Sequence, residues 1–468
     1  MILHQGIRYD SKQQNELLDC LEANLNETLA HGTPPLPRII IDACESLATK
    51  ALNGLFNEEL AGLGFEVGPM AQRIEEAASI MRKESLEAKV LEELGPEYLN
   101  DSYNSAILTN NLCPSSIPQL SPAPCRTLTP PYDHGRTLTK QRVPLGVLFH
   151  IAAGNVDGLP AFSVMEGLLA GNINILKLPS ADNGLSLRML EELVKEAPEL
   201  APYVYVFDTP SDDLPAILRM AGFADGIVVW GGEGAVETIR KFAPPGVKLI
   251  EWGHKLSFAY ITEQGITDAN LKALAHHIIE TRQLLCSSCQ TVFLDVDPEN
   301  DGRESANDIT MSKLVDFCER FLPILENAVT ESVPLDIGST AQVTLRLYTQ
   351  TLEDHAGHTD RKIFRGRGCS ITLCEEGSPE LSPQFGNVLV KPLSRKRLLP
   401  TLRKKKSFLQ TVGLLCGEDE REELTNLLFR AGIIRVTGPG SMSHTTALDA
   451  HDGEYPLIRY TRIVETRD

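Results

Sequence analysis

Cys286 is the first residue of this sequence whose type and position could support chemistry. It lies in the segment RQLLCSSCQTVFLD, after a stretch with a helical pattern and directly before an apolar run typical of a buried strand. A thiol at such a junction can be exposed in a cleft and activated by neighbouring backbone N–H groups. Because a lone cysteine is more often a small buried core residue, the position alone leaves both interpretations open.

Cys289 forms a C-x-x-C with Cys286, which raises two further interpretations. A redox pair usually opens a helix after a strand, whereas here the helix comes first. A zinc site requires a second pair of ligands, and the sequence contains no matching C-x-x-C. Neither interpretation is well supported, and we expect no resident metal.

Four further candidates accompany apolar runs that we predict to be buried strands. They are Asn155 after VPLGVLFHIA, Lys177 at the end of NINILKL, Gly231 after GIVVW, and Glu251 after GVKLI. Parallel strands of an open α/β sheet present their carboxyl ends to the ligand crevice. There an amide can donate to an oxyanion, and a carboxylate can move protons. A lysine can hold ribose or phosphate, and the GGEG turn, before a helix expected from about Ala235, can receive a pyrophosphate. Each of these residue types is also common in turns, so none decides the function alone.

Apolar strands alternate with helices from about residue 143 onward. This pattern is typical of parallel, doubly wound sheets that are covered on both faces. We predict two consecutive α/β domains over 1–255 and 256–435, followed by a C-terminal segment over 436–468. The strands of the second domain include QVTLRLY at 342–348. Helices are predicted at about 10–31, with Ser11 as the N-cap, and at about 70–94, and a hairpin arm is predicted at about 126–143.

The composition limits the class of protein. The 468 residues include 42% hydrophobic and 23% charged residues, an ordinary globular balance, with a net charge of −19 and a pI near 5.1. An acidic surface repels nucleic acid and anionic membranes. No run approaches the roughly 18 apolar residues of a membrane span, and the segment MILHQGIRYD lacks a signal-peptide pattern. We expect a cytoplasmic protein with reduced cysteines that binds no nucleic acid.

Taken together, the candidates resemble the aldehyde dehydrogenase superfamily in order and spacing. Asn155 precedes Lys177 by 22 residues, Glu251 precedes Cys286 by 35 residues, and EWGHK resembles the E-L-G-G-K motif of that superfamily. From about residue 140 to 468 the sequence is similar to one branch, the acyl-CoA reductases typified by the fatty-acid reductase of bacterial bioluminescence. The resemblance implies an aldehyde-dehydrogenase-like α/β fold, with two doubly wound domains and a small oligomerisation element made of the arm and the C-terminal tail.

The resemblance also implies a mechanism. The Cys286 thiolate would attack the carbonyl of a fatty acyl thioester, while the Asn155 amide and the backbone N–H of Cys286 would stabilise the oxyanion. The resulting acyl-cysteine would take a hydride from a reduced nicotinamide and release an aldehyde, with Glu251 moving the protons.

For the cofactor, the resemblance implies a site in the domain 1–255 that includes Lys177, Ser180 and Gly231. Ser180 stands where NAD-dependent relatives often carry a glutamate that binds the adenine ribose. Loss of that carboxylate removes repulsion against a 2′-phosphate, so we expect NADPH, with NADH as the alternative. Two other positions depart from the superfamily. His254 replaces a glycine of the E-L-G-G-K motif, and Pro383 replaces the glutamate of a later E-x-F-G signature.

The function we predict is NADPH-dependent reduction of a long-chain fatty acyl thioester, carried on coenzyme A or on a protein, to a fatty aldehyde. The alternatives are an NAD(P)-dependent aldehyde dehydrogenase that forms the acid, and a non-catalytic assembly subunit that keeps the fold. We expect a homo-oligomer, with an acyl-transferring or acyl-protein synthetase subunit as a partner.

Two other motifs have more ordinary explanations. The run LSRKRLLPTLRKKKSF at 393–408 is densely basic and could meet coenzyme A phosphates, an acidic carrier protein or an acyl-transferring partner. A solvated helix face is the commoner explanation of such a run. His355 and His358, in EDHAGHTD, are expected in a surface loop without a metal.

Overall fold

The computed structural model describes residues 1–62, 67–99, 138–152, 158–296, 304–332, 337–356 and 361–467. The chain divides into two compact units. The first combines Met1–Gly253 with Thr446–Asp468, and the second is His254–Thr445. The boundary between them lies beside the predicted seam near residue 255. The segment predicted as a separate C-terminal piece, 436–468, contributes its first ten residues to the second unit and the rest to the first.

The strands of the described residues, in chain order, are β1 (Ile2–His4), β2 (Ile7–Tyr9), β3 (Leu138–Pro144), β4 (Val147–Ile151), β5 (Ile173–Lys177), β6 (Val204–Phe207), β7 (Gly226–Trp230), β8 (Lys248–Trp252), β9 (Leu256–Ile261), β10 (Cys289–Leu294), β11 (Arg361–Arg365), β12 (Ser370–Cys374), β13 (Asn387–Pro392), β14 (Leu409–Leu415), β15 (Arg435–Thr437) and β16 (Thr461–Arg467). The α-helices are α1 (Gln14–His31), α2 (Pro37–Leu52), α3 (Asn57–Gly62), α4 (Val67–Met81), α5 (Lys83–Glu93), α6 (Leu159–Leu169), α7 (Leu185–Glu196), α8 (Leu214–Gly222), α9 (Glu233–Phe242), α10 (Asp268–Glu280), α11 (Glu304–Glu331), α12 (Ile337–His355), α13 (Arg395–Leu402), α14 (Glu418–Ala431) and α15 (Pro456–Arg459).

The first unit is built on a seven-stranded sheet in the order β2-β1-β6-β5-β4-β7-β8. Strands β4 to β8 are parallel, whereas β1 pairs antiparallel with β6 and β2 extends that edge. The central strands are apolar and buried along nearly their whole length, as expected when helices cover both faces. All carboxyl ends of the parallel strands therefore lie along one edge of this sheet.

The second unit has a seven-stranded sheet in the order β11-β12-β13-β10-β9-β14-β15. Its strands are parallel except for β11, which runs antiparallel to β12 at one edge. Two sheets rich in parallel strands confirm the predicted doubly wound α/β class. No helix in the described ranges combines the length and apolar character needed to cross a bilayer.

One predicted strand of the second unit is wrong. QVTLRLY lies inside the helix α12, where Leu345, Tyr348 and Leu352 are more than 60% exposed. These three residues are spaced by three and four positions and so share one helix face. A short run in which apolar and polar residues alternate fits either period, so the run by itself does not distinguish a strand from a helix.

The N-terminal helices also differ in detail from the prediction. The turn of 3-10 helix at Ser11–Gln13 is capped by the side chain of Asp10, not by Ser11, and α1 follows it. The stretch predicted as one helix at about 70–94 is two helices. A carboxylate from α2 causes the break, because Glu45 accepts from the backbone N–H of Lys83 at 2.7 Å and pairs with Arg82 at 2.5 Å. This carboxylate caps α5 at its positive end.

A two-stranded sheet joins the predicted arm to the C-terminal tail. Strand β3 pairs antiparallel with β16 along seven residues, from Leu138 opposite Arg467 to Pro144 opposite Thr461. Lys140 and Glu465 form an ion pair of 2.9 Å across this ribbon. The remainder of the predicted arm, 126–137, lies outside the described residues.

A buried cluster of charges binds the returning C-terminal segment to the first unit. The Lys89 ammonium lies 2.7 Å from Glu93 and 3.3 Å from Glu166, and it also donates to the carbonyl of Ala447. Glu93 accepts from the backbone N–H of Leu457 at 2.7 Å. Burial by itself lowers the pKa of Lys89, but the attraction of Glu166 and Glu93 raises it above its usual value. Lys89 therefore remains charged in the core.

We expect Lys89→Met to lower the free energy of unfolding by about 3–5 kcal/mol, because it leaves two carboxylates without their buried cation. Urea unfolding followed by circular dichroism measures this. Lys83→Met on the same helix is the control, since the Lys83 ammonium is solvent-exposed beside an exposed Asp42. Equal stability of the two variants would contradict a stabilising role for the cluster.

Candidate active site

Cys286 lies in the turn that connects α10 to β10, and its side chain is exposed. Two residues at the start of neighbouring strands position it. Ser257 of β9 donates to the backbone carbonyl of Cys286 at 2.7 Å, and the amide of Gln410 of β14 donates to Sγ at 3.3 Å. The Ser257 hydroxyl also accepts from the backbone N–H of Thr411, which ties β14 to the same turn. The thiol is accessible to a substrate, and the Gln410 amide directs a hydrogen-bond donor at its sulfur.

Cys289 occupies a different environment, although it is only three residues away. It begins β10, is fully buried, and its thiol donates to the carbonyl of Thr291. Burial raises the pKa of Cys289 to about 12, so the thiolate is scarce near neutral pH. The C-x-x-C thus combines one accessible thiol with one core thiol.

Two buried glutamines, Gln283 and Gln290, hold the turn that carries Cys286 through hydrogen bonds. The Gln283 amide donates to the carbonyl of Cys289 and to the hydroxyl of Ser382, and its oxygen accepts from the backbone N–H of Gly386. Gln290 in turn donates to the carbonyl of Gln283 and accepts from Ser382. Both glutamines are at most 4% exposed. Because unpaired buried amides are costly, the network fixes the turn in one conformation.

Four residues at this junction have left-handed backbone conformations without being glycine. Arg282 and Gln283 precede the nucleophile candidate, whereas Gln384 and Phe385 belong to the PQFG segment. The two pairs meet, since the backbone N–H of Phe385 donates to the carbonyl of Arg282 at 3.0 Å. Such conformations are rare outside glycine and often occur at functional sites. The segment in which Pro383 replaces a glutamate therefore buttresses the cysteine turn.

In the first unit, the structure places Lys177 and Ser180 in one cleft of about 510 Å³ at the carboxyl ends of β5 and β6. Its lining residues are Ser11, Lys12, Gln14, Lys177, Leu178, Ser180, Asp208, Thr209, Pro210 and Ser211. The wall formed by the N-terminal residues was not predicted. Two cations and one carboxylate are among the lining residues, so the cleft is electropositive in an otherwise acidic protein.

Lys177 is suited to an anionic ligand. It is 5% exposed, and its Nζ donates to the Ser211 hydroxyl at 2.9 Å. Burial lowers the pKa of Lys177, while the carboxylate of Asp208 counteracts that shift. A buried ammonium that is held by a hydroxyl, with a carboxylate farther away, can donate to the oxygens of a ribose or phosphate.

Gly231 and Glu251 lie farther along the same sheet edge, at the ends of β7 and β8. Gly231 joins β7 to α9, which begins at Glu233 and not near Ala235 as predicted. Neither residue lines the cleft around Lys177. A nucleotide that extends from this cleft along the strand ends would reach the turn at Gly231, since β5, β4 and β7 are adjacent.

Glu251 is bound by an arginine that the sequence did not point to. Arg240 of α9 donates through Nε and a terminal nitrogen to the two carboxylate oxygens, at 2.6 and 2.5 Å. The attraction of Glu251 raises the pKa of Arg240 above its usual value. A bidentate pair of this kind occupies both oxygens of the carboxylate. Each oxygen keeps a second lone pair, so Arg240 orients the Glu251 carboxylate and leaves it further acceptor capacity.

The structure thus places five of the six predicted site residues, while Asn155 lies outside the described residues, as does His358. Around these residues the structure shows four further candidates that we did not predict from the sequence, namely Gln410, Gln283, Arg240 and Asp208. Asp208 ends the strand YVYVF, so the rule that selected the other strand ends could have found it. Gln410 carries no such signal, because 124 residues separate it from the cysteine that it contacts.

We expect iodoacetamide, applied to the native protein near neutral pH, to alkylate Cys286 and to leave Cys289 unmodified. The Cys286 thiol is open to the reagent, whereas Cys289 is buried and burial raises its pKa to about 12. Peptide mass mapping identifies the modified residue. Cys286→Ser serves as the control for the assignment, and labelling after denaturation shows that Cys289 can react once it is exposed. Preferential labelling of Cys289 in the native protein would contradict the assignment.

Comparison with solved structures defines the class of protein. An NAD-dependent benzaldehyde dehydrogenase from Corynebacterium glutamicum superposes with a TM-score of 0.61 at 12% identity, over 99% of this chain and 91% of that chain. Aldehyde dehydrogenase 21 from Physcomitrella patens gives a TM-score of 0.65 at 12% identity, over 98% and 91%. The chain has the aldehyde dehydrogenase fold, as its resemblance to that superfamily implied.

A match to a protein family gives a more specific assignment than the fold. Residues 132–463 match the acyl-CoA reductase (LuxC) family, and the chain belongs to it. A long-chain acyl-protein thioester reductase from Aliivibrio fischeri is 26% identical over 325 residues, which cover 69% of this chain and 64% of the reductase. The chain thus matches somewhat less than two thirds of that relative's length. The resemblance to acyl-CoA reductases is confirmed.

Proposed function

We propose that this protein reduces a long-chain fatty acyl thioester to a fatty aldehyde, with NADPH as the reductant and an acyl-Cys286 intermediate. The observation that carries the proposal is the accessible Cys286 thiol, bonded by Gln410 and fixed by a buried polar network, in a member of the acyl-CoA reductase family. The relatives named long-chain acyl-protein thioester reductase support a fatty acyl substrate.

In the first half of the reaction, the Cys286 thiolate attacks the thioester carbonyl and the carrier thiolate leaves. The exchange of one thioester for another is nearly balanced in energy, which suits a cysteine nucleophile. Gln410 would stabilise the thiolate before the attack and after the product leaves. We assign Asn155 to the oxyanion, together with the backbone N–H of Cys286, from the resemblance alone.

In the second half, the first unit would hold a reduced nicotinamide cofactor, which would supply the hydride chemistry for the acyl carbon on Cys286. The resulting thiohemiacetal of Cys286 then collapses to the aldehyde and the thiolate. Glu251 would move the proton in this step, with Arg240 bonded to both of its carboxylate oxygens in the resting protein.

The cleft at Lys177 fits the adenosine end of the cofactor. It lies at the carboxyl ends of parallel strands, contains a buried ammonium, and has a hydroxyl at Ser180 where a glutamate would repel a 2′-phosphate. Lys12 adds a second cation. Asp208 is the specific observation that favours NADH as the alternative, because a carboxylate can accept from ribose hydroxyls.

Ser180→Glu tests the cofactor assignment. We expect KM for NADPH to rise about tenfold relative to KM for NADH, because the new carboxylate repels the 2′-phosphate. Ser180→Gln is the control of matched size without charge and should change the two values equally. An unmodified protein that prefers NADH, or a Ser180→Glu variant that affects both cofactors alike, would exclude NADPH selection at this position.

The acyl-enzyme is tested by intact mass after mixing the protein with tetradecanoyl-CoA. We expect a gain of one acyl group, its discharge as aldehyde on addition of NADPH, and no labelling of Cys286→Ala. Cys289→Ala is the matched control and should still be acylated. Acylation that persists in Cys286→Ala would move the nucleophile elsewhere, and no acylation with any fatty acyl thioester would exclude the proposed function.

Two rival functions give different results in the same assays. An aldehyde dehydrogenase that forms the acid would oxidise a fatty aldehyde without a thiol acceptor, whereas the proposed reductase, run in reverse, needs one. A non-catalytic assembly subunit would show no unusual reactivity of Cys286. We place the protein in the cytoplasm. We propose that its copies associate into a homo-oligomer through the ribbon of β3 and β16. An acyl-transferring or acyl-protein synthetase subunit would supply its substrate.

A further inference from the structure

We infer that the exposed cations from Arg403 to Lys406 bind the phosphates of a coenzyme A thioester and hold its acyl group at Cys286. The inference rests on the proposed function, because it concerns the donor of the acyl group. It names the carrier, which neither the fold nor the thiol specifies.

The segment 393–408 contains seven cations and no acidic residue, in a protein with a net charge of −19. One of the seven, Arg395, serves the fold, since it pairs with Asp295, Glu420 and Glu423. The other six have exposed side chains on α13 and the following turn, namely Lys396, Arg397, Arg403, Lys404, Lys405 and Lys406. A solvated helix face usually mixes both signs of charge, whereas this one does not.

These six cations form no ion pair with a carboxylate in the part of the chain that the structure describes. Arg403 reaches only the carbonyl of Arg430, at 3.5 Å, and the Lys405 ammonium lies 6.0 Å from the ring centre of Phe408. Like charges so close together repel one another, and a polyanion bound among them would remove that cost.

The segment also lies close to the nucleophile candidate within the second unit. Lys406 precedes Gln410 by four residues, and four residues span at most about 14 Å even when fully extended. Gln410 contacts Sγ of Cys286 at 3.3 Å, and Lys255, just before β9, donates to the carbonyl of Ser407. Arg403 to Lys406 therefore lie near the strand starts beside Cys286, whereas Lys396 and Arg397 follow the carboxyl end of β13.

Coenzyme A has the chemistry that this surface would recognise. Its thioester and its phosphates lie at opposite ends of a flexible pantetheine arm, so a cationic site beside the thiol can hold one end while the other reacts. Most of the acidic surface would repel such an anion, and a local positive field would concentrate it at the reactive cysteine.

The test compares two double variants that change the net charge equally. Lys404→Glu with Lys406→Glu alters the segment, and Lys272→Glu with Lys313→Glu alters exposed cations on α10 and α11 of the same unit. Each is assayed with tetradecanoyl-CoA and with S-tetradecanoyl-N-acetylcysteamine, which has the same thioester and no phosphate. Calorimetric titration with free coenzyme A gives Kd independently of catalysis.

We expect the segment variant to raise KM for tetradecanoyl-CoA and Kd for coenzyme A about tenfold, and to leave KM for the phosphate-free thioester unchanged. The control variant should behave like the unmodified protein, and added salt should weaken coenzyme A binding. Equal effects of the two variants, or no coenzyme A binding by the unmodified protein, would overturn the inference.

If the segment variant lost activity with an acyl carrier protein as donor and kept its activity with tetradecanoyl-CoA, the inference would be overturned in favour of a protein partner. Failure of the proposed function looks different, because neither thioester would then yield aldehyde.

Discussion

The buried ammonium of Lys89 is the interaction on which the first unit depends. This unit is discontinuous, so its last 23 residues must return from the second unit and be held in place. Lys89 and the carboxylates beside it do this through the backbone at Ala447 and Leu457. The returning segment then lays the Arg459 guanidinium over Trp252, 4.8 Å from the ring centre, in the strand that carries Glu251. A charge far from the cysteine in sequence thus contributes to the shape of the sheet edge where the cofactor is expected.

The two sheets present their functional residues at opposite ends of their strands. In the first unit, Lys177 and Glu251 lie at carboxyl ends, as the general rule for open α/β sheets requires. In the second unit, Cys286 lies just before β10, and its partners Ser257 and Gln410 lie near the starts of β9 and β14. Parallel pairing brings these three starts together, because β9 is hydrogen-bonded to both other strands. The rule for open α/β sheets therefore locates the candidate residues of the first unit but does not locate Cys286.

Electrostatics differs between the two units in a way that suits two anionic ligands. The cleft at Lys177 buries its cation, and burial makes a single ammonium a strong attractor of phosphate or ribose oxygens. The segment after Arg395 instead exposes its cations, where each is screened by solvent and only their number makes the field strong. Arg395 pairs with three carboxylates, whereas the six other cations form no ion pair among the described residues.

The sequence alone determined the class of fold, and it predicted a seam near residue 255 and the candidate residues. Apolar strands between helices leave few alternatives, and residues such as Lys177 and Glu251 mark strand ends that chain order itself reveals. It misjudged QVTLRLY, because a short mixed run fits both strand and helix periods. Only the tertiary structure distinguished Cys286 from Cys289, since exposure depends on the surroundings and not on residue type. It also supplied Gln410, Arg240 and the Gln283 network, because contacts between residues far apart in the chain arise only when the strands pair.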